Sequence, residues 1–273
     1  MAMFAATPGS LAQQEHFQQV FDVDHDATLV VNNRKGAIHV KGSPSGQILV
    51  SVYKRYDGPS KGKTEWLNET VVDFTADSKH IEVNVTYPDP ECGDDSGNDG
   101  WELGAVELTI EVPRRINLQL AGRKPDMIVS SIEGNIKLES HQSPILLAAT
   151  LGAVRINTHK DNVRLKDVTI RGQLDLTMEK GTAEIEARSL GERANLETTK
   201  GSITVHMPGN AGAVVDFVGG SGSVFTSDFS LSGSQTSGRA IREIHGTINQ
   251  GGTLMRLRTD KGVFFLRKPP LGI

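Results

Sequence analysis

Apolar and polar residues alternate with period two along most of this chain, and glycine breaks the alternation at fixed distances. The segment A-N-L-E-T-T-K-G-S-I-T-V at 194–205 shows the pattern in full. Ala194, Leu196, Ile203 and Val205 are apolar, and a four-residue turn separates Leu196 from Gly201. The same offsets hold around Gly36 (Leu29, Val31, Ile38, Val40), Gly134 (Met127, Val129, Ile136, Leu138) and Gly152 (Ile145, Leu147, Val154, Ile156). They hold again around Gly181 (Leu174, Leu176, Ala183, Ile185) and Gly262 (Met255, Leu257, Phe264, Leu266). Gly222 fits with one lapse, because Thr226 fills the last apolar slot. Successive strand residues point to opposite faces, so the apolar positions share one face and the motif reads strand, turn, strand. A glycine that keeps register at the turn exit marks a backbone with positive φ or a corner too tight for a side chain.

From Gly134 the glycines run on at Gly152, Gly172, Gly181, Gly201 and Gly222, mostly at steps of about 18 to 21 residues. Such a period belongs to coils that bury their apolar face only against one another. The expected fold is therefore all-β, a β-helix or β-solenoid of short strand-turn-strand coils with a less regular β-rich N-terminal part. Residues 1–16 read as a leader remnant or disordered terminus. Residues 17–268 read as one elongated β domain, less regular over 17–120 and regularly coiled over 121–268, and 269–273 form a tail. Within this frame, 57–64 and 88–100 read as loops and Ala76 to Lys79 as a hairpin turn. The stretch 162–176 is irregular, and the Ser/Gly-rich stretch 226–239 reads as a surface loop. No amphipathic helix is expected.

Composition narrows the function classes. With 37% hydrophobic residues the chain can bury a core, while 29 glycines and only 5% aromatics favour tight turns over a bulky interior. A formal net charge of -4 gives no basic footprint, so nucleic acid is not an expected partner. No apolar run reaches the length of a membrane-spanning helix, so no transmembrane segment is expected. Ser10-Leu11-Ala12 has small residues where a signal peptidase reads them, although the charged start and apolar stretch of a signal are missing. The single cysteine, Cys92, excludes an internal disulfide framework.

Three strings carry a family likeness: V-E-L-T-I-E-V-P-R-R-I-N-L-Q-L at 106–120, T-L-M-R-L-R-T-D-K-G-V-F-F-L-R-K at 253–268 and L-V-V-N-N-R-K-G-A-I-H-V-K-G at 29–42. With the G-x-I-x-V coils between them, the chain over about 17–268 resembles the bacterial putative-adhesin family. That is a domain of unknown function related to auto-transporter adhesin head domains. The resemblance implies an exported β-helix or β-solenoid with no enzymatic activity and no catalytic residues to carry over.

Few residues suggest chemistry. His141 and His159 each lie seven residues after a motif glycine, which would stack their imidazoles on adjacent coils and allow zinc or copper between them. The pattern supplies no third ligand, since the same offset from Gly181 is Arg188. The bland reading is an exposed polar ladder. Asp94, Asp95, Asn98 and Asp99 gather hard oxygen ligands suited to calcium, without the terminal glutamate of an EF-hand. Their bland reading is a solvated acidic loop, with Cys92 a bystander thiol. Lys137, Arg155, Asp175 and Glu184 follow successive glycines by three residues and form a charged outward row. If that row grips a polysaccharide, Asp175, Glu184 and Glu186 become candidate acids and bases; otherwise they keep the surface soluble. Trp66 and Trp101, near loops, either stack on sugars or cap the core.

The sequence thus leads to a non-catalytic exported module of the cell envelope, adhesin-like, with no cofactor unless the acidic loop takes calcium. Its partner is an unidentified protein or glycan of the cell surface, and its place is periplasmic, cell-surface or secreted. A carbohydrate-active β-helix enzyme is the first alternative, and a cytoplasmic scaffold the second.

Overall fold

The computed structural model describes residues 16–57, 63–88, 104–237 and 241–269. The first part of the chain forms β1 (His16–Asp22), β2 (Thr28–Asn32), β3 (Ile38–Ser43), β4 (Gln47–Tyr56), helix α1 (Lys63–Glu69), β5 (Val71–Ala76), β6 (His80–Thr86) and β7 (Gly104–Pro113). The middle forms β8 (Asn117–Ala121), β9 (Met127–Ser130), β10 (Ile136–Ser140), β11 (Ile145–Ala148), β12 (Leu151–Ser189) and β13 (Arg193–His206). The last part forms β14 (Ala213–Gly220), β15 (Val224–Ser227), β16 (Ser232–Ser237), β17 (Ile241–Ile248), β18 (Thr253–Thr259) and β19 (Val263–Arg267). The protein is all-β, its strands joined in one sheet that curls nearly closed around a single apolar interior.

The motif's apolar positions are that interior. Leu29, Val31, Ile38, Leu147, Ile156, Ile185, Val205, Leu257 and Leu266 are all essentially inaccessible to water. Each repeat turns four such side chains inward, at roughly 1.5–3 kcal/mol for each large one. Strands of neighbouring repeats pair in parallel with like residues stacked. Leu118 lies on Ile136 and Ile136 on Val154, while Met127 lies on Ile145 and Ile145 on Val163. Leu174 then lies on Ala194 and Ala194 on Met255, while Ala183 lies on Ile203 and Ile203 on Phe264. The apolar stripe is continuous because one register slip would turn every one of these residues outward.

The repeat contains two kinds of corner that a single consensus merges. Face A carries β2, β8, β10, the 154–158 and 173–178 stretches of β12, the first half of β13, and β18. Face B carries β3, β9, β11, the 163–166 and 183–186 stretches of β12, the second half of β13, and β19. Gly36, Gly181, Gly201 and Gly262 lead from A to B, whereas Gly134, Gly152 and Gly172 lead from B to A. A Cβ on Gly134 would sit 2.0 Å from the carbonyl oxygen of Ile116, and one on Gly152 would sit 2.0 Å from that of Gly134.

Four expectations need correction. The stretch 162–176 is strand throughout, part of the 39-residue β12, because a third, shorter run of paired residues lies between faces B and A. That run is entered through Ser131, Ala149 and Asp167, which adopt left-handed φ of 60°, 50° and 57° without a glycine to announce them. The segment 226–239 is not simply a loop, since β16 pairs antiparallel with β17 and covers an edge that would otherwise invite another chain. Regular progression through 121–268 also ends at β13. The chain leaves through β14 to β17 and returns as β18 and β19, which slot between β13 and the earlier-made β14 and β15. Finally, α1 is a helix of only 7 residues, too short for hydrophobic periodicity to reveal; it is held by burial of Trp66 and Leu67. Trp66 packs near Tyr56 and Tyr87, with ring centroids 5.6 and 6.1 Å away, and so caps the core.

Candidate functional site

Because like positions stack, outward residues form columns one strand apart. The most polar column crosses face A through Gln119, Lys137, Arg155, Asp175, Asn195, Arg256, Asp216 and His245. Two residues earlier, Asn117, Asn135, Ala153 and Gln173 form a parallel column. The short side chain of Ala153 leaves a dip among amides, and a groove of about 450 Å³ opens there between Asn117, Asn135, Lys137, Arg155 and Asp175.

Asp175 organises this groove. Its Oδ1 accepts hydrogen bonds from Gln173 Nε2 at 2.6 Å and Asn195 Nδ2 at 2.8 Å. Its Oδ2 accepts from Arg155 Nη2 at 3.0 Å and Nε at 3.2 Å. Burial pushes the carboxyl up, but the bonds from Gln173, Asn195 and Arg155, with the arginine charge, outweigh it and hold Asp175 below the usual carboxylate range. The side chain is 19% exposed against 59% for Arg155, so a fixed acceptor lies beneath a reachable guanidinium. Asn195 Oδ1 is buried with no hydrogen-bond partner, a spare acceptor beside the network. Farther along face A, Asp216 receives Arg258 Nη2 at 2.6 Å and His245 Nδ1 at 3.0 Å.

The sequence-chosen charged row divides. Lys137, Arg155 and Asp175 share one column, but Glu184 stands on face B, because Gly181 is a corner of the other kind. Glu184 and Glu186 lie 3.5 and 3.3 Å from the guanidinium of Arg164, and Glu184 also lies 3.7 Å from His206. Asp175 and these glutamates therefore project from different faces, and no sugar can lie between them as glycosidic cleavage requires.

His141 and His159 do stack, with ring centroids 4.5 Å apart and planes 6° from parallel. Parallel rings send their nitrogen lone pairs along parallel lines, whereas a shared ion needs them to converge. The third member of the column is Glu179, seven residues after Gly172 and not after Gly181, and its carboxylate meets Nδ1 of His159. Among the described residues no group of three or more His, Cys, Asp and Glu side chains is placed to hold a metal ion. Asp94, Asp95, Asn98, Asp99, Cys92, Trp101 and the first 15 residues lie outside the described residues.

No family model matches the chain, and no curated protein matches it. Several solved structures similar to it bear the adhesin name that the sequence resemblance pointed to, and one bears another. One is a putative cell adhesion protein from Clostridium sporogenes, 14% identical, covering 93% of this chain and 99% of its own, with a TM-score of 0.34. Another is a putative adhesin from Parabacteroides merdae, 11% identical, covering 93% and 96%, with a TM-score of 0.39. A third, a putative lipid binding protein from Parabacteroides distasonis, is 9% identical, covers 93% and 97%, and has a TM-score of 0.30. At these values the likeness carries no argument about function, which rests on the residues.

Proposed function

We propose that the chain is an exported, non-catalytic β-solenoid that serves as an adhesin-like binding module of the cell envelope, with face A as its glycan-reading surface. The observation that carries this reading is the state of the carboxylate in the groove. Asp175 is locked by Arg155, Gln173 and Asn195, so it is not free to trade a proton with a substrate. The same locking fixes guanidinium and amide groups in an outward array. Fixed planar donors and acceptors above a shallow dip suit the hydroxyl groups of a sugar, whose recognition needs position more than reactivity. The parallel stacking of like residues supports the solenoid.

The test is a glycan panel read for both binding and turnover. Binding that Arg155→Ala weakens, with every glycan recovered intact, is the expected result; cleavage of any bound glycan would replace the module by an enzyme. Fractionation of cells carrying the native upstream sequence checks the envelope assignment, and accumulation in the cytoplasm would favour a scaffold.

A further inference from the structure

At the corner where face A turns into face B, one side chain recurs. Lys160, Lys180, Lys200 and Lys261 occupy the same position in four successive coils, each immediately before the corner residue Asp161, Gly181, Gly201 or Gly262. Lys180 pairs directly with Lys200. Ser202 lies on Val263, and the amide of Lys261 donates to the carbonyl of Thr199, so Lys261 follows Lys200. The approach of Gly181 to the carbonyl of Asp161 and the 2.7 Å bond from Thr182 Oγ1 to Asn162 Oδ1 place Lys160 before Lys180. All four side chains are exposed. At one strand spacing per coil, the row is straight, with a charge about every 4.8 Å over roughly 14 Å.

Directly opposed like charges destabilise a sheet, so proteins commonly interleave them with opposite ones. The flat faces do so with Arg155 on Asp175 and Arg164 on Glu184, and Arg258 reaches diagonally to Asp216. The ridge does not. Lys160, Lys200 and Lys261 make no ion pair among the described residues, and Lys180 alone comes within ion-pair distance of a carboxylate, that of Glu179 at 3.6 Å. Glu179 is shared with His159, Asp161 is turned inward and buried, and Asp260 stands beside Lys261.

One residue past the corner, Asn162, Thr182 and Ser202 form a second row, amide and hydroxyl, parallel to the lysines. Between the two rows the corner positions 181 and 201 carry no side chain, and that of Asp161 is buried. The result is a strip along the corner, with cations on one margin and, beside the first three of them, neutral hydrogen-bonding groups on the other; the fourth place on that margin is Val263.

We propose that this lane binds an extended acidic polysaccharide, a polyuronate, with sugar carboxylates on the lysines and sugar hydroxyls on Asn162, Thr182 and Ser202. A chain with one carboxylate per sugar repeats its charge at close to the strand spacing, so each coil meets one sugar. Duplex nucleic acid fits less well, because its phosphates follow a helical path away from a straight row and offer nothing to the hydroxyl margin. This site lies around a corner from face A and stands whether or not the face A groove takes a neutral glycan.

The experiment titrates the full chain with an oligogalacturonate of eight sugars, alongside its methyl-esterified form, duplex DNA and vesicles containing anionic lipid. Binding should appear with the free acid alone and weaken as salt rises, because ions compete for the lysines. The triple variant Lys160→Gln/Lys200→Gln/Lys261→Gln should weaken it at least tenfold and flatten the salt dependence. If the triple variant unfolds, Lys200→Gln alone should still weaken binding about threefold. Absence of binding, equal binding of the esterified form, unchanged affinity in the variants, or tighter lysine-dependent binding of DNA or vesicles would each overturn the proposal.

Discussion

Replacing Gly134 by alanine tests the corner most sharply. The added methyl would stand 2.0 Å from the carbonyl oxygen and 2.8 Å from the carbonyl carbon of Ile116, both backbone atoms of the neighbouring coil. Carbon and carbonyl oxygen tolerate about 3.3 Å, so the coils must part by more than 1 Å at this corner. No rotamer relieves the clash, since neither partner is a side chain. Parting strains the bonds that close the corner: Glu133 N to Arg114 O at 2.7 Å, Gly134 N to Leu151 O at 2.9 Å and Ile116 N to Glu133 O at 3.2 Å. Overpacking at about 1–3 kcal/mol, plus two weakened bonds at roughly 1 kcal/mol each, predicts a loss of about 3–5 kcal/mol. For a chain of this size that lowers the melting temperature by roughly 6–20 °C. Gly46 is the control, because a Cβ there meets nothing within 4 Å. Gly46→Ala should be neutral or stabilise by up to about 1 kcal/mol, through the lost freedom of the unfolded chain. Calorimetry on both variants decides the matter. A Gly134→Ala protein within 0.5 °C of the parent would refute the claim that interlocked corners hold the stack together.

Other outcomes follow from single groups. Thr198 is buried with no partner for its hydroxyl, whereas Thr259 Oγ1 accepts the Gly262 amide at 2.7 Å. Thr198→Val should therefore be neutral or stabilising and Thr259→Val destabilising by about 1–2 kcal/mol in urea titrations. Asp175 has a folded pKa below its unfolded one, so its contribution is complete above about pH 4 and disappears as the pH falls through the folded value. Asp175→Asn should remove that part of the acid-side loss of stability, as measured by melting temperature between pH 2 and 7. The parallel rings of His141 and His159 predict that zinc shifts the melting temperature no more in the parent than in the double alanine variant; a shift confined to the parent would restore the shared-ion reading.

The period-two alternation made the strands and the inward residues legible, because burial of one face leaves a mark on every second position. The corners were legible only where glycine was required. Ser131, Ala149 and Asp167 reach left-handed φ without glycine, so the third run of paired residues stayed hidden and 162–176 looked irregular. Two glycine corners of opposite sense share one consensus, and that hid Glu179 behind Arg188 and placed Glu184 in the wrong column. The hydrogen-bond network on Asp175 joins residues 20 apart, a distance set by coil length and invisible until the register is known. The lysine ridge left a plain signal, the K-G dipeptide at 180–181, 200–201 and 261–262, which attention to the apolar positions alone passes over.

Everything rests on successive coils lying directly on one another. With Cys92 replaced by serine, spin labels at Lys160→Cys and Lys261→Cys measure this by electron paramagnetic resonance. Three strand spacings separate the two positions, so the labels should lie roughly 14 Å apart, within about 10–20 Å once their arms are allowed for. A separation beyond about 25 Å would mean that the corners at 160, 180, 200 and 261 are not successive neighbours, and the lysine lane would fall with it.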